Sequence, residues 1–165
     1  MMNTNSSTAA DALSGQVAVV TGGSRGIGAA ISQRLAALGA TVVINYAQSA
    51  TSAEKVVSAI VAAGGKAESM QFDVSNSESV DKAFAQVLDT HGRLDILVNN
   101  AGVAVDGLLV RAKDEDWKRT IDINLSGAFY CARAVAKPMM KARRGRIVNL
   151  SSVIGLMGNA GQANY

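Results

Sequence analysis

The stretch Thr21-Gly22-Gly23-Ser24-Arg25-Gly26-Ile27-Gly28 decides the fold of this 165-residue chain. It follows a short apolar run, Val17–Val20, and leads into Ile27, Ile31, Leu35 and Leu38, whose near-helical spacing stops at Gly39. The order is strand, glycine-rich turn, helix, helix stop. Gly22, Gly26 and Gly28, spaced G-x-x-x-G-x-G, let the backbone take positive φ and approach an anion closely. A helix starting near Gly26 aims unpaired N–H groups and the positive end of its dipole at the same point, so the turn reads as a pyrophosphate cradle.

Outward from this turn the pattern repeats. Residues 41–44 are strand-like, 52–63 helical with a Gly64-Gly65 stop, and 67–72 strand-like again. Residues 77–90 read as a helix opened by Asn76 or Ser77, with Val80, Phe84, Val87 and Leu88 on one face. Two further apolar strands are read at 94–98 and 146–150. Between them, 114–144 is mostly helical, interrupted around 122–127 and carrying Pro138, which predicts a kink or a nearby end. Five strands without in/out alternation, separated by helical crossovers, predict an α/β fold with a parallel sheet covered on both faces. Residues 1–14, polar and without Lys or Arg, read as a disordered tail, and 15–165 as one domain.

The composition, 48% hydrophobic and 18% charged, supplies enough apolar surface for a core. A single cysteine, Cys131, excludes an intramolecular disulfide framework and a multi-cysteine metal site, and reads as a small buried hydrophobe in a reducing compartment. No apolar run reaches the roughly 18 residues of a membrane span, and the N-terminus lacks the charged and apolar regions of a targeting signal. A cytoplasmic protein is expected, with plastid and bacterial origins both open.

The net charge of +3 is unevenly spread: residues 1–110 carry six Lys/Arg against nine Asp/Glu, and 111–165 carry ten against four. Lys137, Lys141, Arg143, Arg144 and Arg146 form the densest cluster, suited to an acidic partner or a phosphate, or simply to a solvated helix end. No aromatic platform or docking motif accompanies these charges, which argues against nucleic acid.

The second strand ends near Asn45, 17 residues past Gly28, where an NAD-selective site would place an acid for the ribose 2′-hydroxyl. Asn45 stands there instead, while Arg25 in the glycine turn offers a cation for a 2′-phosphate, so NADP(H) is favoured over NAD. Asp73, closing the third strand, is placed to accept from an adenine amino group. The fourth strand runs into Asn99-Asn100-Ala101-Gly102, whose small residues and amides would let the chain pass close to a ribose. Asn124 interrupts an apolar helical stretch, where a buried amide must find partners or bend the helix. The fifth strand leads into Ser151-Ser152, and Tyr165 follows Ser152 by thirteen residues.

Together these motifs resemble the short-chain dehydrogenase/reductase family over residues 16–165: the turn Thr21–Gly28, Asp73-Val74, Asn99 to Gly102, Asn124, Ser152 and Tyr165 fall in its order and spacing. Within that family the chain is most similar to 3-oxoacyl-[acyl-carrier-protein] reductases, through residues 107–111, 114–117 and 157–165.

The resemblance implies a Rossmann-type sheet of order 3-2-1-4-5 and hydride transfer from NADPH to the 3-keto group of an acyl thioester in fatty acid synthesis. Gly22, Ser24, Arg25, Gly26, Ile27, Gly28, Asn45, Asp73, Val74, Asn100, Ala101 and Gly102 would hold the cofactor. Tyr165 would be the general acid, Ser152 would hold the substrate carbonyl, and Asn124 would anchor a water in the proton relay. Arg143 would meet the acyl carrier protein, and related enzymes form tetramers. Reduction of acetoacetyl-CoA or another short-chain substrate is the alternative activity. His91 and Trp117 match no catalytic position and read as helix-end and packing residues.

The family follows its Tyr, four residues on, with a Lys that favours phenolate, whereas this chain ends at Tyr165. The strands beyond the fifth and the substrate lid are likewise not in the sequence. The expectation is an incomplete domain with strand 5 at an exposed edge, able alone to bind nucleotide or carrier protein without turnover.

Overall fold

The computed structural model describes residues 11–165. Residues 1–10, most of the expected tail, lie outside the described residues. The tail reading does not hold at 11–14: Leu13 donates its N–H to the Leu38 carbonyl at 2.8 Å and packs against the core, because its side chain has apolar surface to bury there.

Five parallel strands, β1 (Val17–Val20), β2 (Thr41–Tyr46), β3 (Lys66–Gln71), β4 (Ile96–Asn99) and β5 (Arg146–Asn149), form one sheet in the order β3-β2-β1-β4-β5. Helices α1 (Gly26–Ala37), α2 (Ala50–Ala62) and α3 (Ser77–His91) connect the first four strands. Between β4 and β5 lie α4 (Asp114–Ile121), a π turn over Asp122–Ser126 and α5 (Gly127–Ala142); a short α6 (Ile154–Met157) follows β5. Among the described residues no helix is long and apolar enough to cross a membrane.

The central strands β1, β2 and β4 read as apolar runs because both faces are covered. Val17, Val19, Val43 and Leu97 pack with Phe84, Val87, Cys131 and Val135 of α3 and α5. Ala18, Val20, Val42, Ile44, Ile96 and Val98 alternate with them and pack with Ala36, Ala53, Val56 and Ile60 of α1 and α2. Gly127 lets α5 approach closely, since a Cβ there would stand 3.0 Å from Val74 Cγ2. Pro138 ends no helix on the spot: α5 runs four residues further, to Ala142.

At the amino ends of the strands, Asp95 is buried and accepts from the Val17 N–H at 2.9 Å and from Arg93 Nε and Nη2 at 2.7 and 2.8 Å, with Arg144 at 3.4 Å. Its backbone bonds β1 and β5 as well, through Val17 O and the Arg146 N–H. Burial opposes the charged form, but the Arg93 fork, the Val17 amide and the charges of Arg93 and Arg144 outweigh it and hold the Asp95 carboxyl below its ordinary range. On the other side of the sheet's centre, β5 is open: Ile147, Val148 and Leu150 are 39%, 48% and 38% exposed.

Candidate functional site

The carboxyl ends of β1, β2 and β4 meet around the glycine turn, and three polar side chains knit it together. The Thr21 hydroxyl, buried, accepts from the N–H groups of Asn100 and Ala101, both at 3.0 Å, and donates to Val98 O. Asn100 Nδ2 donates to the carbonyls of Thr21 and Gly22 at 2.9 and 3.1 Å. Asn45 Oδ1 accepts from the Gly22 N–H at 3.0 Å, while its Nδ2 donates to Phe72 O at 2.9 Å.

Asn45, expected among the residues that hold the cofactor, is turned inward. β2 runs one residue beyond it, the side chain is 2% exposed, and its amide is committed inside the turn, so Asn45 shapes the cradle from behind. Asn100 does the same from the opposite side. Thr21 is the functional residue that the sequence reading leaves out of the site; its signal is a hydroxyl directly between a strand and the first glycine.

The glycines are required by contact as well as by conformation. Gly22 and Gly26 have φ of +62° and +53°. A Cβ on Gly28 would overlap the Gly22 carbonyl and stand 2.5 Å from Asn100 Nδ2. The lip over this cradle is Arg25, Gly26 and Ile27, all exposed, with Ser24 half-buried. Helix α1 opens there with no side-chain cap and no acid in its first turn, so its first amides and dipole are left for an anion. Space, donors and charge therefore fit a dinucleotide pyrophosphate.

Asp73, expected to close the third strand, lies exposed two residues past the end of β3, its Oδ1 taken by the amide and hydroxyl of Ser75 at 2.9 and 2.7 Å. Val74 is buried against Gly127, so its side chain belongs to the core. Ala101 is half-buried and Gly102 exposed, where the chain leaves β4.

The interruption expected in the long helical stretch is the π turn, and Asn124 lies at its middle. Asn124 Oδ1 accepts from the Val103 N–H and its Nδ2 donates to Val103 O, both at 2.8 Å, pinning the turn to the loop after β4. Ser152 is half-buried and its hydroxyl accepts from the Ile154 N–H at 3.2 Å. Tyr165 is 44% exposed. Among the described residues no hydrogen bond joins the side chains of Asn124, Ser152 and Tyr165.

Arg143 caps α5 at φ 52° and ψ 31°, the one non-glycine residue with positive φ among those described. Lys137, Lys141, Arg143 and Arg146 are exposed, while Arg144 leans on Asp95. Cys131 is fully buried, which pushes its thiol up to about 12 and leaves it inert. His91 ends α3 as expected, 2.9 Å from Glu68 Oε1. Trp117 is not a packing residue: it is 55% exposed on α4, beside a cleft lined by Val105, Asp106 and Asn164.

The model of the short-chain dehydrogenase family matches residues 16–165. The chain belongs to the short-chain dehydrogenase family. It is 54% identical over 154 residues to a 3-oxoacyl-[acyl-carrier-protein] reductase of Synechocystis, covering 93% of this chain and 62% of that one. The corresponding reductase FabG of Staphylococcus epidermidis is 45% identical over 90% of this chain and 61% of its own length. The chain thus spans about three-fifths of the length of these curated relatives. A crystal structure of a metagenomic short-chain oxidoreductase in complex with NADP superposes with a TM-score of 0.90 at 47% identity, covering 93% of this chain and 70% of that one.

Proposed function

We propose that this protein binds NADP(H) at the glycine turn and serves the reduction of 3-oxoacyl thioesters carried on acyl carrier protein. The observation that carries the reading is the brace of Thr21, Asn45 and Asn100 around Gly22, which holds an uncapped helix end open beside an exposed Arg25. The identity to 3-oxoacyl-[acyl-carrier-protein] reductases along 90% and more of the chain supports the substrate class.

In this reading the amides at the start of α1 and the hydroxyl of Ser24 take the pyrophosphate, Arg25 pairs with the 2′-phosphate, and the carboxylate of Asp73 accepts from the adenine amino group. When bound, the nicotinamide supplies the hydride. Ser152 holds the substrate carbonyl oxygen, Tyr165 delivers the proton to it, and the π turn at Asn124 anchors a water through which that proton is replaced. Arg143 is held in a left-handed conformation that disfavours most side chains, and presents its guanidinium with Lys137 and Lys141 to the acidic carrier protein. Assembly into a homotetramer accompanies this reading.

The test is cofactor binding by fluorescence, followed by NADPH oxidation with acetoacetyl thioesters of carrier protein and of coenzyme A. Oxidation faster with the carrier-protein thioester is expected; preference for the coenzyme A thioester would move the protein to the short-chain alternative. Binding without thioester-dependent oxidation would leave a nucleotide-binding module, and no binding at all would overturn the reading.

A further inference from the structure

We propose that Asp106 and Gln162 form a clamp that positions Tyr165 against Asn124. This inference rests on the reading of Tyr165 as proton donor. The loop after β4 has little to hold it: residues 106–113 are exposed, and its only regular element is a single 3-10 turn at Leu109–Arg111. Yet it is tied at two points three residues apart. At Val103 it is bonded twice to the Asn124 amide. At Asp106, Oδ1 accepts from Gln162 Nε2 at 2.8 Å, and beside it the Gly107 N–H donates to Gly161 O, also at 2.8 Å.

Gln162 is the hub of the segment that ends in Tyr165. Its Oε1 accepts from Asn159 Nδ2 at 3.0 Å, and its carbonyl accepts from the Tyr165 N–H at 3.1 Å. A charge-assisted bond to Asp106 therefore acts on the backbone that carries the phenol, and the same loop carries the anchor of Asn124 three residues earlier. Gly161 has a φ of +78°, which gives this segment the turn that brings its carbonyl to Gly107. A second tie, Asn164 Nδ2 to Thr120 Oγ1 at 3.3 Å, joins the segment to α4, which runs on into the π turn of Asn124. The Asp106 and Gln162 side chains thus set the register between the proton donor and the water-anchoring turn without touching substrate or cofactor.

The experiment uses the protein at the length its own cell makes, assayed with NADPH and acetoacetyl thioester. Asp106→Ala and Gln162→Ala are each expected to lower kcat about 30-fold, with the Kd for NADPH within about twofold and the KM little changed, because only the geometry of proton transfer is disturbed. Gln162→Glu sets two carboxylates against each other and is expected to lose at least as much. The double variant D106N/Q162E exchanges donor and acceptor and is expected to restore kcat to within about threefold. Unchanged kcat in the alanine variants, or no rescue in the double variant, would overturn the clamp while leaving the proposed function standing. Absence of thioester reduction by the unaltered protein would instead overturn the proposed function, and the clamp's role with it.

Discussion

The side-chain amide of Asn100 bridges two carbonyls of the glycine turn, Thr21 at 2.9 Å and Gly22 at 3.1 Å, across 79 and 78 residues of sequence. The turn is thus set by the end of a neighbouring strand as well as by its own glycines. Substitutions at its contact points should separate nucleotide binding from folding.

Gly28 faces that bridge. In Gly28→Ala the added methyl would meet the Gly22 carbonyl and Asn100 Nδ2, neither of which moves without opening the cradle. NADPH affinity is expected to fall at least tenfold, about 1.4 kcal/mol, in a fluorescence titration. Wild-type affinity in this variant would mean that the cofactor does not use this turn.

Arg25 is exposed on the lip and no acid stands in the first turn of α1. Arg25→Glu is expected to weaken NADPH by about tenfold or more relative to NADH, since a carboxylate would face the 2′-phosphate. Equal losses for the two nucleotides would remove Arg25 from that role.

Asp95 ties β1, β4 and β5 at the opposite end of the sheet. Its carboxyl is held below its unfolded value of about 3.9, so its contribution to stability is present above that pH and is lost as pH falls through the folded value. Asp95→Ala leaves the Val17 N–H unpaired and Arg93 without its partner, at a cost of about 3 kcal/mol. Urea unfolding at neutral pH measures the loss, and its shrinking toward strongly acidic pH checks the sign.

Arg143→Gly should split stability from recognition. Glycine relieves the left-handed backbone at this cap and is expected to stabilise the protein by about 1 kcal/mol. Carrier-protein affinity, followed by titration at low salt, should fall in the same variant. A fall in both would show that Arg143 packs rather than recognises.

Cys131 should resist alkylation in the folded protein at mildly alkaline pH, because burial pushes its thiol up to about 12. Labelling is expected only once denaturant opens the core, and mass spectrometry of the intact protein reads it directly.

The sequence alone determined the five strands, the glycine turn and the interruption that became the π turn at Asp122–Ser126. Those features are local: apolar runs of strand length, glycines after a strand, and an Asn within an apolar helix each carry their cause in adjacent residues. The order β3-β2-β1-β4-β5 and the exposed edge at β5 were expected from the family resemblance instead, because no short-range pattern states which strands pair. What tertiary structure decided was where polar side chains spend their hydrogen bonds. Asn45 stands at the position of a ribose ligand in the chain, yet folding places it beneath Gly22 with its amide satisfied by Phe72. Thr21, Asp95, Asp106 and Gln162 acquire their roles from partners distant in the chain, such as Asp106 and Gln162 at 56 residues, and Thr21 and Asn100 at 79. A hydrogen bond is short-ranged and directional, so which donor meets which acceptor is settled only when the sheet brings their strand ends together.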